Sequence, residues 1–180
     1  ETAPAVAAFE WVAAAGSGLR FRSQVPVTVG MRGESSSGRT RAATATTSAK
    51  ASIAYARGKN EDNGQPLNSV DPLKAVFGLG YDAPSGQYGG ALNWTLVQAK
   101  QRIDESETAD QYATPGYGIL DLNGWVQLTE AVSLNAGLYN LTDKQYWQWG
   151  DVQGLTTSNV NLERFTQPGR YAAVNLIWEI

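Results

Sequence analysis

Residues 119–139, ILDLNGWVQLTEAVSLNAGLY, alternate with a period of two and then do so again. Leu120, Leu122, Val126 and Leu128 share one face, with Ile119, Asp121, Asn123, Trp125 and Gln127 on the other. After Thr129 and Glu130 the pattern restarts, with Leu134, Ala136 and Leu138 against Ser133, Asn135, Gly137 and Tyr139. Side chains of a pleated strand point alternately to its two faces, so this stretch reads as two strands joined by a very short turn. Helical spacing fits it less well.

The same habit extends outward in both directions. Ala75, Phe77, Leu79 and Tyr81 oppose Val76, Gly78, Gly80 and Asp82, and Leu92, Trp94 and Leu96 oppose Asn93, Thr95 and Val97. Nearer the start, Leu19, Phe21 and Ser23 oppose Arg20, Arg22 and Gln24, and Val27, Val29 and Met31 oppose Thr28, Gly30 and Arg32. The chain closes with Ala172, Val174, Leu176, Trp178 and Ile180 against Ala173, Asn175, Ile177 and Glu179. Breakers separate these runs: Asp82 to Gly86 is a turn, and Thr114-Pro115-Gly116 and Gln167-Pro168-Gly169 precede strands. Asp104 to Gln111 is an acidic loop, and Gln145 to Phe165 is a longer excursion before the last strand. The spacing predicts about seven or eight antiparallel strands in one all-β region over 1–180. Gly33–Ala51, rich in Ser, Thr and Ala, reads as two weak strands or a mobile stretch.

Composition narrows the function. With 14 Lys+Arg against 17 Asp+Glu there is no basic excess for a nucleic-acid partner. Histidine and cysteine are both absent, which removes the commonest general base, the commonest haem ligand and any thiolate site from this chain. Carboxylates are scattered without a recurring pair, so no catalytic residue is named and an enzyme is not expected. The start at Glu1 lacks a signal-peptide pattern, and no run nears the ~18 apolar residues of a membrane helix.

Two architectures give alternation of this kind. A soluble sandwich or barrel turns the apolar face inward, whereas a membrane barrel turns it toward lipid and keeps a small, polar lumen face. The non-apolar faces here are rich in Gly, Asn, Thr, Gln and Ala, and only 17% of residues are charged. That balance favours the membrane barrel, with Tyr55, Tyr81, Trp94, Trp125 and Trp178 near strand ends as an interfacial girdle or as ordinary core aromatics. A self-contained eight-stranded membrane barrel with a structural or adhesive role, and a soluble barrel that binds a small ligand, stay open at this point.

Several segments carry a family resemblance. Leu138 to Trp147 contains Asn140-Leu141-Thr142-Asp143-Lys144 followed by Tyr146 and Trp147. Upstream, Pro66-Leu67 and Pro72 lead into a strand that ends Gly78-Leu79-Gly80-Tyr81. Thr114 to Tyr117 precedes Leu120-Asp121-Leu122, and Arg164 to Arg170 precedes the last strand. In this order, over roughly Ala51 to Ile180, they resemble the C-terminal barrel part of TonB-dependent outer-membrane receptors, in particular the haem and haemoglobin (haemophore) branch. The resemblance implies transmembrane strands of a larger barrel in the outer membrane of a Gram-negative bacterium. Its implied partners are the lipid bilayer, the remainder of the barrel, a plug domain absent from this stretch, TonB through an N-terminal region also absent, and a haemophore or haemoprotein. No cofactor is expected within the chain; haem is the transported ligand, without a histidine here to hold it. The chain ends in Ile180 where the family usually has Phe.

Candidate contact residues follow from chemistry. Tyr146, Trp147 and Trp149 form an aromatic cluster suited to contacting haem or a protein donor, or simply to loop packing. Arg57 and Arg170, on the presumed lumen face or near strand ends, can guide anionic propionates, or pair with carboxylates such as Glu10, Glu34 or Glu179.

Overall fold

The computed structural model describes residues 45–179 with their side chains and, before them, the backbone of Leu19–Gln24 and Val29–Glu34. In chain order the strands are β1 Leu19–Gln24, β2 Val29–Glu34, β3 Thr46–Asn60, β4 Lys74–Asp82, β5 Tyr88–Val97, β6 Tyr117–Thr129, β7 Val132–Tyr139 and β8 Tyr171–Trp178. They form one antiparallel sheet of eight strands. From β3 to β8 each strand pairs with the next in sequence. β1 lies against Tyr55–Asn60 and β2 against Thr46–Ala51, so both run along the long β3. The expectations for Glu10, Val27, Thr28, Ile180 and the middle of Gly33–Ala51 lie outside the described residues. The two ends of that last stretch are strand: Gly33 and Glu34 finish β2, and Thr46 to Ala51 open β3.

Register assigns the faces, because residues directly opposite across an antiparallel ladder lie on the same side. Phe77 opposes Trp94 and Trp94 opposes Leu120. Leu79, Leu92, Leu122 and Leu138 form a continuous row across four strands, and Leu134 opposes Leu176. These side chains stay uncovered: Leu79 is 59%, Val174 70% and Trp178 71% exposed. A contiguous apolar face this wide is not left open to water. Tilted strands of ~9–11 residues that turn such a face to lipid are the solution of a membrane barrel. The other face carries Lys50, Asn93, Asp121, Asn123, Asn135 and Asn175, with Gly78, Gly80 and Gly137 between them.

Tyr81, Tyr88 and Trp178 ring one border of the apolar face, and Tyr55 and Trp94 lie toward the other. Trp125 departs from the girdle expectation. It sits opposite Gly89 and Asn135 on the polar face, where a Cβ on Gly89 would stand 2.6 Å from the indole Nε1.

The connections differ sharply in length between the two ends. At one end β4 turns into β5 within five residues: Ala83 N–H donates to Tyr88 O (2.9 Å), and Gly86 takes φ +66°, a left-handed conformation open to glycine at no steric cost. β6 turns into β7 beside a one-residue register shift at Gln127/Thr129. At the other end stand three long loops, 61–73, 98–116 and 140–170. The excursion read at Gln145–Phe165 falls within the third; it contains a one-turn helix, α1 (Trp149–Val152), and a 3₁₀ turn, Leu162–Phe165.

Among the described residues the sheet is an open arc, for no ladder joins β8 to β1 or β2. Each unpaired backbone group on such an edge costs several kcal/mol in hydrocarbon, so the arc needs strands on both sides. No helix among the described residues is long and apolar enough to cross a membrane.

Candidate functional site

The loop end is held first by local chemistry in 140–144. Asn140 and Asp143 have φ of 48° and 51°, the left-handed region that short polar side chains tolerate best after glycine. Asn140 is 3% exposed and fully used. Its backbone N–H donates to Asp121 Oδ1 (2.8 Å), and its Nδ2 donates to Lys144 O (2.9 Å) and Pro168 O (3.1 Å). Its Oδ1 accepts from Lys144 N–H (2.9 Å) and Thr142 O–H (3.3 Å). Asp143 Oδ1 accepts Arg170 N–H at 2.8 Å. The start and end of the third loop are therefore clamped to each other and to β6. Asn140→Ala strands the Pro168 carbonyl and the Lys144 N–H, and is expected to cost about 2 kcal/mol. Urea unfolding of the receptor in micelles reads this as a lower midpoint; an unchanged midpoint would show that the clamp carries no stability.

Above the clamp the three loops share a small core, the most buried part of the described residues. Trp149 (4% exposed) and Val152 (0%) come from the third loop, Lys100 (6%), Gln111 (7%) and Thr114 (3%) from the second. Trp149 Nε1 donates to Asn68 O of the first loop at 2.6 Å. Lys100 Nζ lies 4.4 Å from the centre of the Trp149 ring and donates to Val70 O at 2.5 Å. Asn68 and Asp104 exchange two bonds, Nδ2 to O (2.9 Å) and N–H to Oδ1 (2.7 Å). Gln111 Nε2 donates to Asp104 O (2.7 Å), while its Oε1 accepts Gly154 N–H (3.3 Å). Tyr112 N–H to Leu155 O (2.8 Å) and Thr157 N–H to Asp110 O (2.9 Å) complete the join. Burial pushes the Lys100 amine below its ordinary pKa, opposed by the Asp71 carboxylate. The carbonyl and the indole face keep that buried cation in place. The three loops thus form one folded cap.

Beneath the cap, tyrosines gather where the polar face meets the loops. Tyr117 and Tyr146 are 4.3 Å apart between ring centres, and Tyr139 and Tyr171, directly opposite on β7 and β8, stack at 4.8 Å. Burial raises the Tyr146 hydroxyl pKa, with Asp121 and Tyr171 adding to it. The Tyr139 ring lies over Gly137, where a Cβ would meet it at 2.6 Å. A ledge of phenol faces and hydroxyls beside carboxylates can stack on flat rings and hydrogen-bond polar edges.

The five residues singled out from sequence separate into four places. Tyr146 is half-buried on the tyrosine ledge. Trp147 and Trp149 belong to the cap: Trp147 meets Tyr112 edge-on at 5.5 Å and donates to Leu162 O at 3.0 Å, and Trp149 is buried. Arg170 is exposed at the start of β8. Arg57 is exposed near the loop end of β3, two residues on from Tyr55 and so in phase with the apolar face rather than the polar one. Tyr117, Tyr139 and Tyr171 were missed, although strand parity places all three on the polar side at the loop end. Lys100, Asn68 and Gln111 carried no local signal. Among the described residues no group of three His, Cys, Asp or Glu could hold a metal ion.

Comparison with known proteins agrees with this architecture. Residues 20–141 match the family described as TonB dependent receptor-like, beta-barrel. The chain is 32% identical over 145 residues to hemoglobin-haptoglobin utilization protein B of Neisseria meningitidis serogroup C, covering 69% of this chain and 18% of that protein. It is likewise 32% identical over 145 residues to hemoglobin-binding protein A of Haemophilus influenzae, covering 69% of this chain and 14% of the relative. Among solved structures, the copper transporter OprC superposes with a TM-score of 0.64 at 24% identity over 90% of this chain and 26% of its own, a likeness of fold alone. The chain spans less than a fifth of the length of these curated relatives.

Proposed function

The chain belongs to the TonB-dependent receptor β-barrel family, and we propose that it is one arc of an outer-membrane receptor of a Gram-negative bacterium that takes up haem iron from a haemoglobin-like donor. The observation that carries this reading is the single folded cap of three loops above a polar, tyrosine-lined lumen wall. Long loops of an outer-membrane barrel lie outside the cell and short turns lie in the periplasm, so the cap faces the medium and the ledge faces the pore. A rigid aromatic surface makes large contacts at low entropic cost, as a protein donor or a flat macrocycle demands. The relatives' names, haemoglobin–haptoglobin utilization and haemoglobin binding, point the same way.

In this role the arc supplies wall, lumen surface and donor contacts. The remaining strands, a plug and a TonB-contacting segment belong to the rest of the receptor. Its work is binding and passage rather than catalysis. The test is growth with haemoglobin as the sole iron source. Deleting the receptor is expected to abolish growth, and restoring it to rescue growth only in cells that have TonB. Undiminished growth of the deletion strain on both haemoglobin and free haem would overturn the reading.

A further inference from the structure

Asparagine precedes glycine at two places, Asn63-Gly64 and Asn123-Gly124, and the fold treats them oppositely. Such a pair is open to a reaction that needs no enzyme. The glycine amide nitrogen, on losing its proton, attacks the asparagine Cγ; Nδ2 leaves as ammonia and a five-membered succinimide closes. Water then opens one of the two ring carbonyls, leaving aspartate or isoaspartate. Glycine permits the attack because it has no side chain in the way and reaches backbone conformations that other residues resist.

Asn63-Gly64 lies at the tip of the first loop, where the chain leaving β3 doubles back. Asn60 N–H donates to Gln65 O (2.8 Å), Leu67 N–H donates to Gly58 O (3.3 Å), and Lys59 bridges Pro66. Glu61 to Gly64 are all exposed. Gly64 has φ +71°, and no atom stands within 4 Å of where its Cβ would be, which leaves room for ring closure. Gln65 N–H donates to Asn63 Oδ1 at 3.0 Å. That bond holds the carboxamide against the backbone that follows it and aims a donor at the oxygen on which negative charge grows during attack. The contact that must break is the turn bond from Gly64 N–H to Asn60 O (2.9 Å).

Asn123-Gly124 sits in the middle of β6. Asn123 opposes Ala91 and Gly137, and Gly124 opposes Gly90 and Ala136, so ladders hold the pair from both sides. Closing the ring there means tearing the extended backbone from two neighbouring strands.

We propose that Asn63 is a site of spontaneous deamidation and that Asn123 is not. Nothing in this depends on what the receptor carries. The product changes the loop cap in two ways. It puts a third carboxylate directly after Glu61 and Asp62, and isoaspartate lengthens the main chain by one carbon inside the turn closed by Asn60 and Gln65. The first loop therefore becomes more negative, and its tip looser, as the protein ages.

The test incubates the intact receptor, purified from outer membranes in mild detergent, at mildly alkaline pH in water enriched in heavy oxygen. Mass spectrometry then follows the peptides that carry each pair. Asn63 is expected to convert at least about tenfold faster than Asn123, because the strand site must first break more than one further hydrogen bond. The Asn63 product is expected to take up heavy oxygen, to contain isoaspartate as well as aspartate, and to form more slowly at mildly acidic pH. Asn63 left intact while a free peptide of residues 60–67 converts, equal rates at Asn63 and Asn123, or aspartate without isoaspartate would each overturn the proposal. None of these outcomes touches the receptor reading.

Discussion

Trp149→Ala is expected to open the loop cap while leaving the strands folded. The indole is buried, carries the bond to Asn68 O and forms the face beneath Lys100. Removing it takes away a large apolar contact, a hydrogen bond between loops and the partner of a buried cation. Truncations of this kind cost about 3–5 kcal/mol. The loss falls on the cap, because the indole bonds to Asn68 of loop 61–73 and lies beneath Lys100 of loop 98–116. Trypsin provides the measurement, since the peptide bond after Lys100 is protected while the lysine is buried. When cleavage follows transient opening, a 3 kcal/mol loss speeds it by about two orders of magnitude. Trp149→Phe, which keeps a ring over the lysine but loses the bond to Asn68, should sacrifice about 1 kcal/mol. Cleavage of the alanine variant at the wild-type rate would mean that the loops move independently.

The second large effect concerns two neighbours on β6 that face opposite ways. Leu122 lies between Leu92 and Leu138 in the apolar row, and Asn123 lies between Ala91 and Gly137 on the polar face. Arginine at a lipid-facing position near the bilayer midplane costs about 2–4 kcal/mol. Lumen-facing positions meet water, where the guanidinium stays solvated. Leu122→Arg should therefore lower the unfolding free energy of the receptor in lipid vesicles by about 2–4 kcal/mol, and Asn123→Arg by no more than about 1 kcal/mol. The difference between adjacent positions matters more than either value. Equal penalties would remove the case for one face in lipid and one in water.

The strands were legible because their apolar residues are large and their alternation regular. Leu120 to Leu128 and Leu134 to Leu138 gave both the hairpin and its faces, and Ala75 to Tyr81 did the same for β4. Thr46 to Lys50 was not legible, since Thr, Ser and Ala fit either face. That segment is strand because β2 and β4 pair with it on both sides. The turn chemistry of Asn140 and Asp143 was readable locally, but the bond from Asn140 to Pro168 was not. The cap was hidden for the same reason on a larger scale: Asn68 meets Asp104 across 36 residues and Trp149 across 81. No pattern within a loop announces such pairs. Of the two positions read for Arg57, the lumen face or a strand end, its place three residues before the end of β3 matches the second, and its phase with Ile53 and Tyr55 sets it apart from the first.

The proposed wall has lipid on one side, water on the other and its loop cap outside the cell. A chain without cysteine allows that to be tested at single positions, using a membrane-impermeant thiol reagent on whole cells. Ser158→Cys, in the third loop, should label in intact cells, and Glu130→Cys, in the β6–β7 turn, only after the outer membrane is opened. Once it is opened, Asn123→Cys should also label and Leu122→Cys should resist. Labelling of Glu130→Cys from outside, or equal labelling of Leu122→Cys and Asn123→Cys, would contradict the account at its centre.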